Sequence, residues 1–486
     1  MNVFDYLFEN SKNLDKNFLL GSKESVSFKE FHTESLKLAS FLNRYFGANK
    51  NMILISPNSK FFISAYLGIL KSGNVCVPLN FGIEQENLDF IIDTTDCDIV
   101  FMAKSIQAKY QIPPHIHVVD EVGLEQIIQN QVVVDYYIEV EDDQLAEIIF
   151  TSGSTGSPKG VMISHQNIIA NTRSIISYLS LRSEDVMCVV LPFYYCYGLS
   201  LLHSHLKVGG SIVLNNSFMF LGAVLDDLKE YQCTGFAGVP SHFQILLKKS
   251  KTFKTTLFPD LRYVTQAGGK LHSVFIDEFT QAFPDKDFYI MYGQTEATAR
   301  LSYLEPSMIH KKTSSIGKPI PGVEFKIVNE SGDVLGVQQE GELLARGKNI
   351  MLGYYKEDEE TQNTIKDGWL HTGDVAVMDE DGYYYLVARK KEILKVAGKR
   401  VSPKEIEEVI LSVPEVIDCT ISGYDDDLYG EAIQATIVPI TPYDEDELKD
   451  KILQACSKKL ALYKIPQRFF FEKGMKMSAT GKKVKQ

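Results

Sequence analysis

The chain has 486 residues, beyond the ~250–300 at which single hydrophobic cores stop growing, so at least two domains are expected. Hydrophobic residues make up 44% and charged residues 23%, which excludes a disordered or fibrous chain. Lys plus Arg number 50 against 63 Asp plus Glu, a formal charge of −13, which argues against nucleic acid as the main partner but leaves room for a small anionic ligand.

No apolar run approaches the ~18 residues of a membrane helix, so stable membrane insertion is not expected. The start, Met1-Asn2-Val3-Phe4-Asp5, has no basic segment before an apolar stretch, which reads as a cytoplasmic protein without a secretory signal. The seven cysteines are scattered and form no CxxC pair, so reduced thiols are expected rather than zinc or disulfides.

In chain order, residues 53–56 read as a strand, 61–70 as a helix and 75–79 as the next strand. Residues 186–191 read as another buried strand and 224–231 as another helix. Helices between buried strands predict βαβ units and largely parallel sheets. After about residue 315 the strands carry polar alternation, with Asn329-Glu330-Ser331-Gly332-Asp333 and Asp379-Glu380-Asp381-Gly382 as turns, which predicts antiparallel β structure. Pro403, followed by Glu405 and Glu407, predicts a helix start. The fold class is therefore α/β: a large N-terminal domain, 1–388, of mixed parallel sheets with helices plus a β-rich subdomain; a hinge, 389–391; and a small mobile α+β domain, 392–486. The last has roughly 95 residues, enough for a core of its own.

The sharpest segment is Thr151-Ser152-Gly153-Ser154-Thr155-Gly156-Ser157-Pro158-Lys159-Gly160, directly behind the apolar strand 148–150. Glycines let successive backbone N–H groups converge on one anion, hydroxyls add donors, and Lys159 adds a charge. The spacing is not Walker A: counting from Gly153, the required glycine falls on Pro158.

This loop, continuing into Val161-Met162-Ile163-Ser164-His165, resembles the signature loop of the adenylate-forming superfamily of acyl-CoA synthetases, amino-acid adenylation domains and luciferases. Tyr292-Gly293-Gln294-Thr295-Glu296, Gly341-Glu342-Leu343, Gly353-Tyr354-Tyr355, Trp369-Leu370-His371-Thr372-Gly373-Asp374, the hinge region 389–407 and Thr480-Gly481-Lys482 resemble its later motifs, in the family's order.

The resemblance implies ATP, Mg²⁺ and a thiol, either CoA or phosphopantetheine. An acid would attack the α-phosphate to give acyl-AMP and pyrophosphate, and a thiol would then displace AMP. It implies nucleotide contacts from Thr151, Ser152, Gly153, Ser154, Thr155, Gly156, Lys159, Gly268, Gly269, Tyr292, Gly293, Gln294, Thr295, Asp374 and Arg389. Glu296 would hold Mg²⁺, Thr295 the α-phosphate, and Asp374 the ribose hydroxyls. Lys482 would serve adenylation. After a rotation about Lys391, Lys395 would serve thiol transfer, with Gly398 leaving room for the pantetheine arm.

Tyr194 and Tyr195 resemble part of the acid-pocket wall, with Phe236, Ala237, Gly238, Val239 and Met291 as further wall residues. Tyr195 stands where adenylation domains carry Asp, so an α-amino acid would leave its ammonium unpaired. Ser402-Pro403-Lys404-Glu405-Ile406-Glu407 resembles the acyl-CoA synthetase branch. A carboxylate–thiol ligase is therefore expected, taking a small carboxylic acid and CoA or a separate acyl carrier protein, as a monomer or homodimer. A stand-alone amino-acid ligase and a non-catalytic nucleotide binder stay open. His203 and His205 read as structural.

Overall fold

A computed structural model describes the chain except residues 23, 134–138, 142, 152–157, 217, 219, 390–391, 397–398, 427–429 and 475–486. It is a mixed α/β structure in which two large sheets are flanked by helices and a smaller unit follows them.

The largest sheet changes character along its length. In its parallel part Ser211–Leu214, Val186–Val189, Gly235–Gly238, Tyr263–Gln266 and Asp287–Tyr292 lie side by side. Ser302–Leu304 and Ser315–Pro319 then add on antiparallel. From there the sheet runs antiparallel through Tyr384–Arg389, Trp369–Met378, Gly341–Gly347 and Val323–Val328. The antiparallel structure expected after residue 315 is present, but it already begins at Ser302–Leu304.

The second sheet has seven strands, with Asn51–Ile55, Val75–Leu79 and Ile99–Met102 parallel at its centre and the pair Leu145–Thr151 and Lys159–Ser164 towards one edge. Helix Lys60–Lys71 packs on its central strands, and Cys196–Val208 packs on the parallel part of the larger sheet. Both helices are buried on nearly every residue; the first is apolar almost all round, and the second also buries Ser200, His203, Ser204 and His205. Ser59 caps the first, accepting the Phe62 amide at 3.1 Å.

The large sheet's last strand ends at Arg389, and Leu394–Val396 already belongs to a separate hairpin with Lys399–Val401. Helices Pro403–Leu411 and Glu445–Lys459 and the sheet of Val416–Asp426, Gly430–Pro439 and Arg468–Phe471 complete the smaller unit. Pro403 sits in the first turn of its helix, as its fixed φ and missing N–H favour. Among the described residues no helix is long and apolar enough to cross a membrane. All seven cysteines are buried thiols.

Candidate active site

Asp287–Tyr292 delivers its last residue, Tyr292, to the carboxyl end of the parallel strands, where ligands gather in open α/β sheets. The chain then turns through Gly293. A Cβ there would lie 1.9 Å from the Ala299 carbonyl oxygen, so only glycine fits the turn. Thr295–Ala297 forms one 3₁₀ turn. It presents Thr295 towards Cys196, at 3.6 Å from its sulfur, and Glu296 towards Tyr354, whose hydroxyl donates to Oε1 at 2.9 Å.

Tyr292 donates to Asp374 Oδ2 at 2.6 Å, and Arg389 Nε donates to Oδ1 at 3.1 Å. Asp374 and Arg389 are direct register partners on neighbouring antiparallel strands, so the sheet itself sets this ion pair. Asp374 is 3% exposed. Burial pushes its carboxyl above the usual range, while Arg389 and Tyr292 pull the other way.

Gly268, at φ +86°, follows Tyr263–Gln266 on the adjoining strand end. The Gln266 side-chain amide donates to the Gly269 carbonyl at 2.8 Å. Gln266 Oε1 and Gln294 Nε2 are buried with no hydrogen-bond partner among the described residues. One acceptor and one donor left open beside a glycine turn and a tyrosine ring suit the polar edge of a bound heterocycle.

Thr151 and Lys159 close the two strands that flank the glycine-rich loop and are register partners. Lys159 Nζ pairs with Glu360 at 2.6 Å and lies 5.6 Å from the Tyr354 ring centre, which links it to the side chain holding Glu296. Ser152, Gly153, Ser154, Thr155 and Gly156 lie outside the described residues, as do Lys391, Gly398 and Lys482.

The expected pocket wall divides. Tyr195, Val239 and Met291 pack in one hydrophobic cluster with Tyr197 and Ala237. Phe236 points to the other face, 6.0 Å from the Phe243 ring, because side chains alternate along Gly235–Gly238. Of these residues, Ala237 shares the side of Val239 and Met291, and Phe236 faces the opposite side of the strand. Tyr194 turns towards Phe81, with ring centres 6.0 Å apart. Lys395 is not brought to this group: it is exposed on its hairpin, its backbone N–H donating to Glu431.

Two residues join the cluster that motif reading did not single out. Tyr354 stands in the sequence as the middle residue of Gly353-Tyr354-Tyr355, with nothing local to mark its hydroxyl. Arg300 follows Ala297-Thr298-Ala299; a lone cation behind three small residues was the available signal. Its guanidinium carbon lies 4.0 Å from the Tyr197 ring centre. His203 is buried against the Tyr66 hydroxyl at 2.6 Å, and His205 against the Leu201 carbonyl and Tyr263 hydroxyl.

Residues 8–355 match the family model described as AMP-binding enzyme, and 405–482 match the AMP-binding enzyme C-terminal domain. The chain is 30% identical over 446 residues to an oxalate–CoA ligase of Arabidopsis thaliana, covering 88% of this chain and 86% of that protein. It is 28% identical to a long-chain-fatty-acid–CoA ligase of Salmonella typhimurium, covering 98% and 92%. The crystal structure of the anthranilate CoA ligase AuaEII in complex with anthranoyl-AMP superposes with a TM-score of 0.90 at 24% identity, covering 99% of this chain and 95% of that one.

Proposed function

The chain belongs to the AMP-binding enzyme family, and from that premise we propose that it joins a carboxylic acid to CoA at the expense of ATP, by way of an acyl-adenylate. The observation that carries this reading is the hydrogen-bonded set Tyr292, Asp374 and Arg389 beside Thr295 and Glu296 at the strand ends of one sheet.

In the first step an acid oxygen attacks the α-phosphorus, the bond to the β-phosphate oxygen breaks, and pyrophosphate leaves. In the second a thiol sulfur attacks the acyl carbon, the bond to AMP breaks, and the thiol proton passes to solvent. Tyr292 and the backbone at Gly268 and Gly269 hold the adenine, with Gln266 and Gln294 supplying the open acceptor and donor. Asp374, braced by Arg389, accepts the ribose hydroxyls. Thr295 donates to the α-phosphate, and Thr151 and Lys159 face the leaving phosphates together with residues 152–156. For Lys159 this means exchanging Glu360 for phosphate.

Glu296 is the residue that would hold Mg²⁺. Its Oε1 is oriented by Tyr354, and a single carboxylate is the donor set that suits a Mg²⁺ shared with phosphates. The ion neutralises phosphate charge when bound.

Lys482 serves adenylation. The small domain, 392–486, then turns about 389–391 so that Lys395 and Gly398 serve thiol transfer. The break between the large sheet at Arg389 and the hairpin at Leu394–Val396 supports that boundary. A cytoplasmic setting and CoA as acceptor complete the reading, with a carrier-bound phosphopantetheine as the other thiol tested.

The test is product analysis over a panel of acids, with CoA and with acyl carrier protein in separate arms. AMP and pyrophosphate formed only with an acid are expected. ADP and phosphate would overturn the proposal. An α-amino acid outrunning every simple acid would replace it with an amino-acid ligase, against the hydroxyl rather than carboxylate presented by Tyr195.

A further inference from the structure

The guanidinium of Arg300 is a buried charge that the chemistry above leaves unused. The residue is 2% exposed. Its Nε–H points at the Met291 sulfur at 3.3 Å, and one Nη1–H at the Ala299 carbonyl at 3.3 Å. The plane lies over Tyr197. A thioether is a weak acceptor, and guanidinium carries five N–H donors that it cannot shed as a proton. Among the described residues Arg300 forms no ion pair with a carboxylate. The buried cation is held by a thioether, one carbonyl, the Tyr178 hydroxyl and a ring face, all of them neutral, so its charge has no counter-charge among the described residues.

Its position gives this charge a use. Met291 precedes Tyr292, and Tyr195 and Tyr197 open helix Cys196–Val208, so Arg300 lies against the side chains that wall the acid pocket. The Tyr178 hydroxyl, 3.0 Å from the Met291 sulfur, and the Tyr195 hydroxyl both lie within its electrostatic reach. Thr295, the residue facing the reacting end, touches Cys196, whereas Arg300 stacks on the next residue, Tyr197. The backbone is fixed: the Arg300 carbonyl accepts from Asn171 at 3.2 Å and from Asn349 at 2.8 Å.

We propose that Arg300 is a specificity-determining residue that pairs with a second carboxylate at the far end of the substrate, so that the acid activated by this chain is a dicarboxylic acid. The inference rests on the acid-activating reading of the same site. One carboxylate of the substrate reacts at the α-phosphate, and the other stays ionised against Arg300 and the tyrosine hydroxyls.

The experiment compares dicarboxylic acids of two to six carbons, and phthalate, each with its monomethyl ester, by pyrophosphate release from the full chain. The ester keeps one reactive carboxylate and loses the distal charge. At least one diacid should exceed its ester in kcat/KM on the order of 10²-fold, because the ester leaves the buried cation unpaired. In Arg300→Met, which keeps an unbranched side chain without the charge, that ratio should fall to about one or invert, with the KM for ATP unchanged. Arg300→Lys should restore part of it. Wild-type protein that uses monoacids and esters as well as every diacid overturns the proposal while the acid-activating reading stands. No AMP with any acid overturns both. An unchanged ratio in Arg300→Met also overturns it. The wild-type comparison decides the matter even where the variant fails to fold.

Discussion

Tyr292 and Asp374 stand 82 positions apart in the chain and share a 2.6 Å hydrogen bond that links the last parallel strand of the large sheet to a strand of its antiparallel part. The tyrosine ends a buried parallel strand, and the aspartate faces Arg389 across an antiparallel ladder. A ring proposed to stack on a base is thereby tied to the carboxylate proposed to hold the sugar.

Removing that carboxylate should act on nucleotide binding. In Asp374→Ala, Tyr292 loses its acceptor and Arg389 its counter-charge. Charged hydrogen bonds contribute about 1.5–3 kcal/mol, so the KM for ATP should rise on the order of 10–100-fold. Tyr292→Phe keeps the ring and should raise it only a few-fold. Because burial raises the Asp374 carboxyl above its ordinary range, ATP affinity should decline on acidification at a higher pH than for an exposed aspartate. An unchanged KM in Asp374→Ala would remove the residue from the nucleotide site.

The two half-reactions should separate. Lys482→Ala should lower adenylation on the order of 10²–10³-fold, the usual cost of losing one electrostatic donor, while sparing thioester formation from synthetic acyl-AMP. Lys395→Ala should do the reverse. Lys483→Ala is the neighbouring control; if it, and not Lys482→Ala, loses adenylation, the assignment moves by one residue. Equal losses in both half-reactions for Lys482→Ala would refute the rotation of the small domain.

How much of this was legible in the sequence depended on whether a residue acts through a local motif or a distant partner. Tyr292-Gly293-Gln294-Thr295-Glu296 announces itself because the turn needs its glycine and its polar residues are consecutive. The antiparallel strands beyond residue 315 showed in the polar alternation, whereas the short Ser302–Leu304, where the change begins, did not. The pairing of Asp374 with Arg389 is a register fact, fixed only once two strands align. That Phe236 and Ala237 face opposite ways could not be assigned to a side of the sheet beforehand, because a four-residue strand does not reveal which of its alternating faces meets which neighbour. Arg300 was missed for a related reason: its meaning lies in Met291, Tyr197 and Tyr178, none of them its chain neighbours.

Glu147 predicts a pH dependence of stability. It is fully buried and accepts from Tyr66 at 3.0 Å, while the same hydroxyl meets His203 at 2.6 Å. Burial pushes its carboxyl from 4.5 up to about 7, against the Tyr66 hydrogen bond, and burial pushes His203 down to about 3, so the ring stays neutral. For an acid raised in the folded state, its contribution is fully present below about 4.5 and is lost as pH rises to about 7, because only the unfolded chain ionises freely. The loss is on the order of 3 kcal/mol. Glu147→Gln should therefore gain stability relative to wild type between pH 4.5 and 7.5 in denaturant titrations. Parallel curves for the two proteins would show that Glu147 is ionised in the fold.

The final prediction concerns how the small domain is held. Glu408, on helix Pro403–Leu411, reaches across to the start of helix Ser273–Ala282. It accepts from His272 Nδ1 at 2.9 Å and the Ser273 amide at 3.0 Å, takes the Ser273 hydroxyl, and pairs with Lys270 at 3.0 Å. Burial would raise this carboxyl, but His272, Lys270 and Ser273 outweigh it and hold it well below the usual carboxylate range. A group depressed in this way stabilises the docked arrangement above its ordinary pKa, and that contribution fades as pH falls towards the folded value. Any rotation about 389–391 must break these contacts, and they hold only the orientation in which Glu408 meets residues 270–273. Glu408→Ala should therefore shift the balance between orientations, slowing one half-reaction several-fold while the other holds or quickens. A fluorophore pair spanning the two domains should report the same shift directly, and the wild-type distance should drift towards the variant's on acidification. If both half-reactions slow equally and the distance stays fixed, Glu408 only stabilises the fold.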